Sequence, residues 1–479
     1  MRLGQTSVLY FGAKVFGSAL GFFATVYFAR VLGEAVLGFY FLVLALVSWG
    51  GVIGKVGFSS AITKRISEGE DTDGYFATGA VLIFGTGAVI IAGLVLFRGG
   101  IDEYVGQPVA EFVVVLLFVS LFLRLVVASL KGQHLVHVYA VLKIGKDTLR
   151  ALLQVALVFV GFELAGLLIG YAAGGFVIAL IGLWYLKPSR ARPTLHHARS
   201  LFDFAKFSWL GNIRAKTFDW IDVIVLGFFV PAGLIGIYSI AWSIAKFLDL
   251  FGSSISTTLF PEMSKLSSED DLQAVSGLTV DALSYAGLIL IPGLIGTATV
   301  GDRLLAIYGE NFPEGATILV ILTVALLVYT YNKQLLNTLN AIDRPDLAFR
   351  SNGIFIVSNA VLNVVLVYEY GWIGAAVATA LSAGIGLSIS YYYARSLVAF
   401  SFPVVEVGRQ WVAALGMGAV VYYVRQLGEA HWIAGINEAF VVLLVAVGAS
   451  VYFGLLFAIS KQFRTTVRDN LPFEIPVVT

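Results

Sequence analysis

Lys143, Lys146 and Arg150 stand three and four residues apart in an otherwise apolar stretch running from about 138 to 160. On a helix, the spacing i, i+3, i+7 puts all three on one face. Asp147, four residues after Lys143, is placed to pair with it, and Gln154 extends the polar stripe by a further turn. Such a stripe cannot face lipid, because a charged side chain at the bilayer centre costs about 2.5–3.5 kcal/mol on insertion scales. More basic residues sit in stretches of the same kind: Lys14, Arg124, Lys206, Arg214, Lys216, Lys246 and Lys333. Together they call for an interior cavity, and an interior lined by cations suits an anionic cargo. Phosphate or pyrophosphate fits best, since Arg binds two oxygens in one plane and Lys supplies a point charge.

A second stripe carries amides in place of charge. Asn352, Asn359 and Asn363 repeat the spacing of Lys143, Arg150 and Gln154 in a later apolar stretch. Neutral amides suit sugar hydroxyls, so the first half of the chain is expected to bind an anion and the second half a glycan. Arg214, Lys216, Asp219 and Asp222 share one stretch, and Lys246 and Asp249 the next. Lys216 with Asp219, and Lys246 with Asp249, have i, i+3 spacing. The sequence leaves open whether they are structural ion pairs or a gate whose pairs exchange. Lys14 lies among Gly12, Gly17 and Gly21, which permit close helix approach. It is either a cation on the cargo's path or a lysine reaching to the headgroups. The latter suits Lys206. Arg124 and Lys333, the second beside Asn332, Gln334 and Asn337, complete the binding candidates.

The elements that position these residues are membrane helices. The chain has 479 residues, 58% hydrophobic and 13% charged, with mean hydropathy +0.88. A soluble protein of this size needs far more surface charge, so this is an all-α polytopic membrane protein. A net charge of +1 gives no reason to expect a nucleic-acid partner. With no cysteine there are no disulfides and no thiol chemistry. A span needs about 20 mostly apolar residues. That rule places fourteen, near 7–29, 36–56, 77–97, 109–130, 138–160, 163–186, 203–229, 233–258, 276–299, 315–336, 347–368, 371–394, 407–424 and 438–460. The first reads as an uncleaved span rather than a signal peptide.

With the N-terminus in the cytoplasm, most loop Lys and Arg fall on the cytoplasmic side. Only Arg30, Arg98, Arg303 and Arg425 fall outside. Both termini are therefore expected in the cytoplasm of a cell-membrane protein. The basic segment Lys187-Pro-Ser-Arg-Ala-Arg-Pro193 divides two halves. The expected organisation is an N-terminal six-helix lobe (1–186), a linker (187–202), a C-terminal six-helix lobe (203–396) and two further helices with a tail (397–479). Pro292 should kink its span. Trp184, Tyr185, Trp432 and Tyr391–Tyr393 read as interfacial aromatics.

The halves echo each other. Leu32-Gly33 through Gly38-Phe-Tyr40 matches Leu226-Gly227 followed by Ala232-Gly233-Leu-Ile-Gly236-Ile-Tyr238. Gly161-Phe-Glu-Leu-Ala-Gly166 matches Gly371-Trp-Ile-Gly374-Ala-Ala at a similar offset. An offset of six spans makes the repeats parallel, with a shared site between them.

On the segments Ala29-Arg30-Val-Leu-Gly33 to Gly38-Phe-Tyr40 and Tyr370-Gly371-Trp-Ile-Gly374-Ala-Ala-Val-Ala-Thr379, the chain resembles a known family. That family is the polysaccharide-transporter branch of the multidrug/oligosaccharidyl-lipid/polysaccharide exporter superfamily, which includes the Wzx-type flippases. The resemblance implies a V-shaped pair of six-helix lobes plus two helices, alternating between inward- and outward-open states. It implies a flippase of polyprenyl-(pyro)phosphate-linked oligosaccharide, not an enzyme and without cofactor. Its partners would be that substrate and membrane lipids, with room for other glycan-assembly proteins.

Two other functions compete. An ion-coupled drug exporter of the same superfamily needs an N-lobe carboxylate for exchange, but Asp147 is surrounded by cations. A glycan polymerase or glycosyltransferase needs a larger outer segment than 98–109 or 425–437. ATP hydrolysis is excluded, because Gly145-Lys146-Asp-Thr148 lacks the upstream glycine of a phosphate loop and lies in a span.

Overall fold

The apolar stretches fold as helices in the computed structural model, which describes residues 3–53, 57–188 and 191–470. Side chains at 3–19, 53, 206–212, 215, 432–433 and 469–470 lie outside that description, Lys14, Lys206 and Trp432 among them. In chain order the helices are α1 (Leu3–Ile53), α2 (Phe58–Ser67), α3 (Thr72–Leu96), α4 (Arg98–Val105), α5 (Ala110–Gly132), α6 (Val136–Phe159), α7 (Glu163–Leu186), α8 (Leu195–Phe229), α9 (Ala232–Leu248), α10 (Leu250–Ser268), α11 (Leu272–Ala286), α12 (Leu290–Ala306), α13 (Ala316–Ala341), α14 (Pro345–Leu397), α15 (Val404–Ala430), α16 (Asn437–Ile459) and α17 (Lys461–Asn470). Among the described residues no strand occurs. Among the described residues nine helices are long and apolar enough to cross a membrane, or ten if the bent pair α9–α10 is one span. The protein is a multi-pass membrane protein.

Two of those helices are far longer than one crossing needs. α1 has 51 residues and α14 has 53, about 75–80 Å each at ~1.5 Å per residue, against a hydrocarbon core of ~30 Å. Each turns at one glycine with positive φ, Gly33 at 78° and Gly371 at 58°. Only glycine takes that conformation without a Cβ penalty. Gly161, the sequence echo of Gly371, has φ 98° at the α6–α7 turn.

Two predicted spans break. Residues 233–258 bend by 46° between α9 and α10, and 276–299 divides into α11 and α12. Pro292 stands just after the second of these breaks, as the sequence suggests. Ile291 N–H reaches the Gly287 carbonyl and Gly293 N–H the Ile289 carbonyl, so the donor that proline lacks is the one for Leu288, whose carbonyl accepts from Tyr452 Oη at 2.9 Å instead. α6 and α8 also reach spanning length but carry the charged stripes.

The chain forms two compact units, Met1–Gly236 and Ile237–Thr479. In the first, α8 packs on α1, α2 and α3, so the division falls well after the basic linker. Ile62, Ile83, Leu117, Leu121, Leu125 and Leu201 make its core. Thr194 caps α8 through His197 N–H at 3.2 Å, and the His197 ring meets the Asp71 carboxylate at 3.1 Å.

The first pair of echoed motifs meets inside this unit. A Cβ on Gly38 would strike the Ala232 carbonyl, and one on Gly236 would strike the Glu34 carbonyl. Each motif thus supplies the glycine that lets the other's backbone approach, which is the physical reason for glycine at those repeated positions.

In the second unit, α13 packs on α14, and α12 on α13, α15 and α16. Gln410 donates to the Ser284 carbonyl at 2.6 Å. Arg425 binds Asp302 at 2.6 Å and Glu429 at 2.7 Å, and Arg303 joins Glu429 at 3.0 Å. This charge cluster fastens α15 to the end of α12. The short helix α17 continues from α16, where Ser460 donates to the Glu406 carboxylate.

Candidate anion-binding cavity

Helix α6 holds the cationic stripe, and α7 fixes where it points. A Cβ on Gly174 would come within 2.9 Å of the Arg150 Cα, and one on Gly170 within 2.7 Å of the Gln154 side chain. This Gly170-x-x-x-Gly174 pair brings two helix backbones together as small residues do in membranes. The Arg150 backbone therefore lies directly against α7, and its guanidinium stands over the ring of Tyr171 on that same helix, 5.3 Å from the centroid.

Arg124, Lys143, Lys146, Arg150 and Lys216 all line one cavity of the N-terminal unit, about 390 Å³ in volume. They come from α5, α6 and α8. The wall between them is apolar (Leu44, Val119, Leu123, Leu142, Ile178) with Ser48, Ser120, Tyr139, Tyr171 and Trp220 interposed. Arg124 Nε donates to Ser120 Oγ at 3.2 Å. Asp147 pairs with Lys146 at 3.2 Å, not with Lys143 as its i, i+4 spacing suggests. The long Lys146 side chain folds back to its neighbour and leaves Lys143 to the cavity. An arrangement of two guanidinium groups and the Lys143 ammonium beyond that ion pair is suited to hold anionic oxygens by charge-assisted hydrogen bonds.

Other expected site residues are placed elsewhere. Gln154 is 3% exposed and donates to Tyr40 Oη at 3.1 Å and the Leu167 carbonyl at 2.7 Å. It ties α6 to α1 and α7 and is not available to a cargo, because packing against Gly170 closes it off. Arg214 and Asp219 lie partly buried on α8, and Asp222 is buried there.

In the second unit, Asn359 and Asn363 are fully buried. Asn359 donates to Ser382 at 2.8 Å, and Asn363 to the Asn359 carbonyl at 3.0 Å. They bond within the two arms of α14 and present no amide to a sugar. The reason is the turn at Gly371, which folds the serine- and threonine-bearing arm onto them. Asn352 is partly buried near the start of α14. Lys333 donates to Ser253 at 3.1 Å, and Asp249 accepts from Ser253 at 2.7 Å and Thr330 at 2.5 Å. With Gln334 bonded to the Gly252 carbonyl at 3.1 Å, these residues stitch α13 to the α9–α10 bend. Lys246 stands over Trp242 at 5.8 Å.

The sequence reading missed the aromatic and hydroxyl lining. Tyr171 carried a usable signal, since a tyrosine in mid-span needs a polar partner. Ser48, Ser120 and Trp220 carried none, because single small hydroxyls and a lone tryptophan are common in membrane helices.

Comparison with known proteins places the fold and the family. The family model described as polysaccharide biosynthesis protein matches residues 27–317. The chain is 34% identical over 481 residues to the probable flippase AglR of Haloferax volcanii, covering 98% of each chain. It is 29% identical over 483 residues to the probable low-salt glycan biosynthesis flippase Agl15 of the same organism, covering 100% of each. Among solved structures it superposes on the lipid II flippase MurJ in an inward closed conformation. The TM-score there is 0.80 at 19% identity, over 96% of this chain and 100% of that one. An inward-facing multidrug resistance MATE family transporter of the MOP superfamily gives a TM-score of 0.65 at 14% identity, over 79% and 94%.

Proposed function

Because the chain belongs to the polysaccharide biosynthesis protein family, we propose that it is a flippase carrying lipid-phosphate-linked oligosaccharide from one leaflet to the other. The curated relatives named as flippases support this reading along their whole length. The observation that carries it to particular residues is the gathering of Arg124, Lys143, Lys146, Arg150 and Lys216 around one cavity.

The physical task is to move a phosphate and its sugars through a layer that dissolves neither. An ionised group left alone in hydrocarbon carries a desolvation cost that only fixed counter-charges offset. Lys143, Arg150 and Arg124 supply those charges along the cavity wall, and the lipid chain remains in the bilayer. The cargo's anionic groups exchange water for Nζ–H and guanidinium donors without meeting hydrocarbon. No covalent bond is made or broken, so the protein acts as a transporter and not as an enzyme.

In this account the chain makes fourteen crossings, as two six-helix lobes followed by two helices, in the cell membrane with both termini in the cytoplasm. The lobes alternate access, and other glycan-assembly proteins supply and consume the cargo. Cationic drug cargo is disfavoured because Asp147 is already paired with Lys146 and the remaining lining charge is positive.

The test is reconstitution of the purified chain in liposomes with a fluorescent lipid-phosphate-linked oligosaccharide. The wild type should move the label between leaflets, and the Lys143→Gln/Arg150→Gln double variant should do so at least tenfold more slowly, with equal protein inserted. Equal rates in the two, or no movement by the wild type, would overturn the reading.

A further inference from the structure

We propose that the N-terminal cavity reads two negative charges on one cargo. The first is the phosphate joining glycan to lipid, held by Lys143. The second is a carboxylate carried by the glycan itself, held by Arg150 and Arg124. The proposal rests on the flippase reading and narrows its substrate to an acidic lipid-linked oligosaccharide.

Asp147 neutralises Lys146 at 3.2 Å. Arg124 has only the neutral Ser120 hydroxyl at 3.2 Å. Arg150 lies over the Tyr171 ring, and its Nε–H has no acceptor. Lys143 has no carboxylate within ion-pair distance among the described residues. Arg124, Lys143 and Arg150 therefore face, together with Lys216, a cavity of about 390 Å³, and a phosphodiester brings one negative charge to meet them. Arg124 and Arg150 are partly buried, where a counter-charge offsets the loss of water, so a singly charged headgroup held by Lys143 leaves room for a second anion beside them.

Position points the same way. Lys143 and Arg150 are seven residues apart on α6, which separates their backbones by ~10 Å at ~1.5 Å of rise per residue. The neutralised Lys146–Asp147 pair lies between them in the sequence. A compact diphosphate is much shorter than that separation, whereas a phosphate and an acidic group one sugar away can span it.

The residue types also divide. The compact ammonium sits nearer the α6 start, towards the loop with Lys131 and His134. Arg150 sits two turns further along α6 and lines the same cavity as Arg124 of α5, and a planar fork matches a carboxylate through two parallel hydrogen bonds.

The test uses the full chain in proteoliposomes with two cargoes. One is a lipid-phosphate-linked oligosaccharide containing a uronic acid. The other is identical except that the carboxylate is replaced by hydroxymethyl. The wild type should move the acidic cargo roughly 10- to 100-fold faster, the range a charged hydrogen bond gives. Arg150→Gln should bring the acidic cargo down to the rate of the neutral one, while Lys143→Gln should slow both by the same factor. Equal wild-type rates for the two cargoes would overturn the inference and leave the flippase reading standing, as would a carboxylate advantage that survives Arg150→Gln. Failure of the wild type to move either cargo would remove both.

Discussion

At the residue scale, two neighbours on one helical stripe have opposite duties. Arg150 lines the cavity, while Gln154, one turn on, is spent on Tyr40 and Leu167. Their substitutions should therefore separate. Gln154→Ala leaves a buried tyrosine hydroxyl and a carbonyl without their donor, a cost of about 1–3 kcal/mol. It should lower the melting temperature in detergent while the apparent affinity for cargo in surviving protein stays near wild type. Arg150→Gln should do the reverse, weakening cargo affinity with little change in melting temperature. The sequence spacing showed that Lys143, Lys146, Arg150 and Gln154 share a face. It could not show where that face stops lining a cavity and starts packing on a neighbour, because that depends on Gly170 and Gly174 of another helix. The same blindness applies to Asn359 and Asn363. Their spacing matched the cationic stripe, yet the turn at Gly371 buries them.

At the element scale, glycines set the approach of helix to helix. Gly174 brings α7 against the Arg150 backbone. Gly174→Leu inserts a branched side chain there, and overpacking of this kind costs about 1–3 kcal/mol. The variant should lose most transport by displacing Arg150, whereas Gly353→Ala, at a helical glycine whose Cβ would meet nothing within 4 Å, should not. Both can be compared by initial flipping rate at matched protein content. Gly38 and Gly236 make the reciprocal contact between the echoed motifs. A Leu at either position forces the two turns apart, so each single variant should slow transport, and the double variant should be no worse than additive. The special glycines of the echoed motifs were legible, since Gly33, Gly161 and Gly371 take positive φ and Gly38 admits a close backbone. The break at α9–α10 was not legible, because an apolar run looks continuous whether or not tertiary packing bends it, whereas Pro292 marked the one at α11–α12.

At the scale of the whole molecule, composition was enough to give an all-helical membrane protein. The absence of cysteine makes the topology directly testable. Single cysteines placed at Ser200 and Glu314 should differ. In right-side-out vesicles, a membrane-impermeant maleimide should label the Glu314→Cys loop at once and Ser200→Cys only after permeabilisation. The opposite order would contradict the orientation drawn from the basic loops. The central claim is that a lipid-linked phosphate enters the cationic cavity of the N-terminal unit, and Ser120 on its wall offers the most direct measurement. A Ser120→Cys variant should react with a small aqueous thiol reagent, and lipid-phosphate-linked oligosaccharide should slow that reaction several-fold. The protection should vanish when Lys143→Gln and Arg150→Gln are added. A cysteine that never reacts, or one the cargo does not protect, would contradict the account.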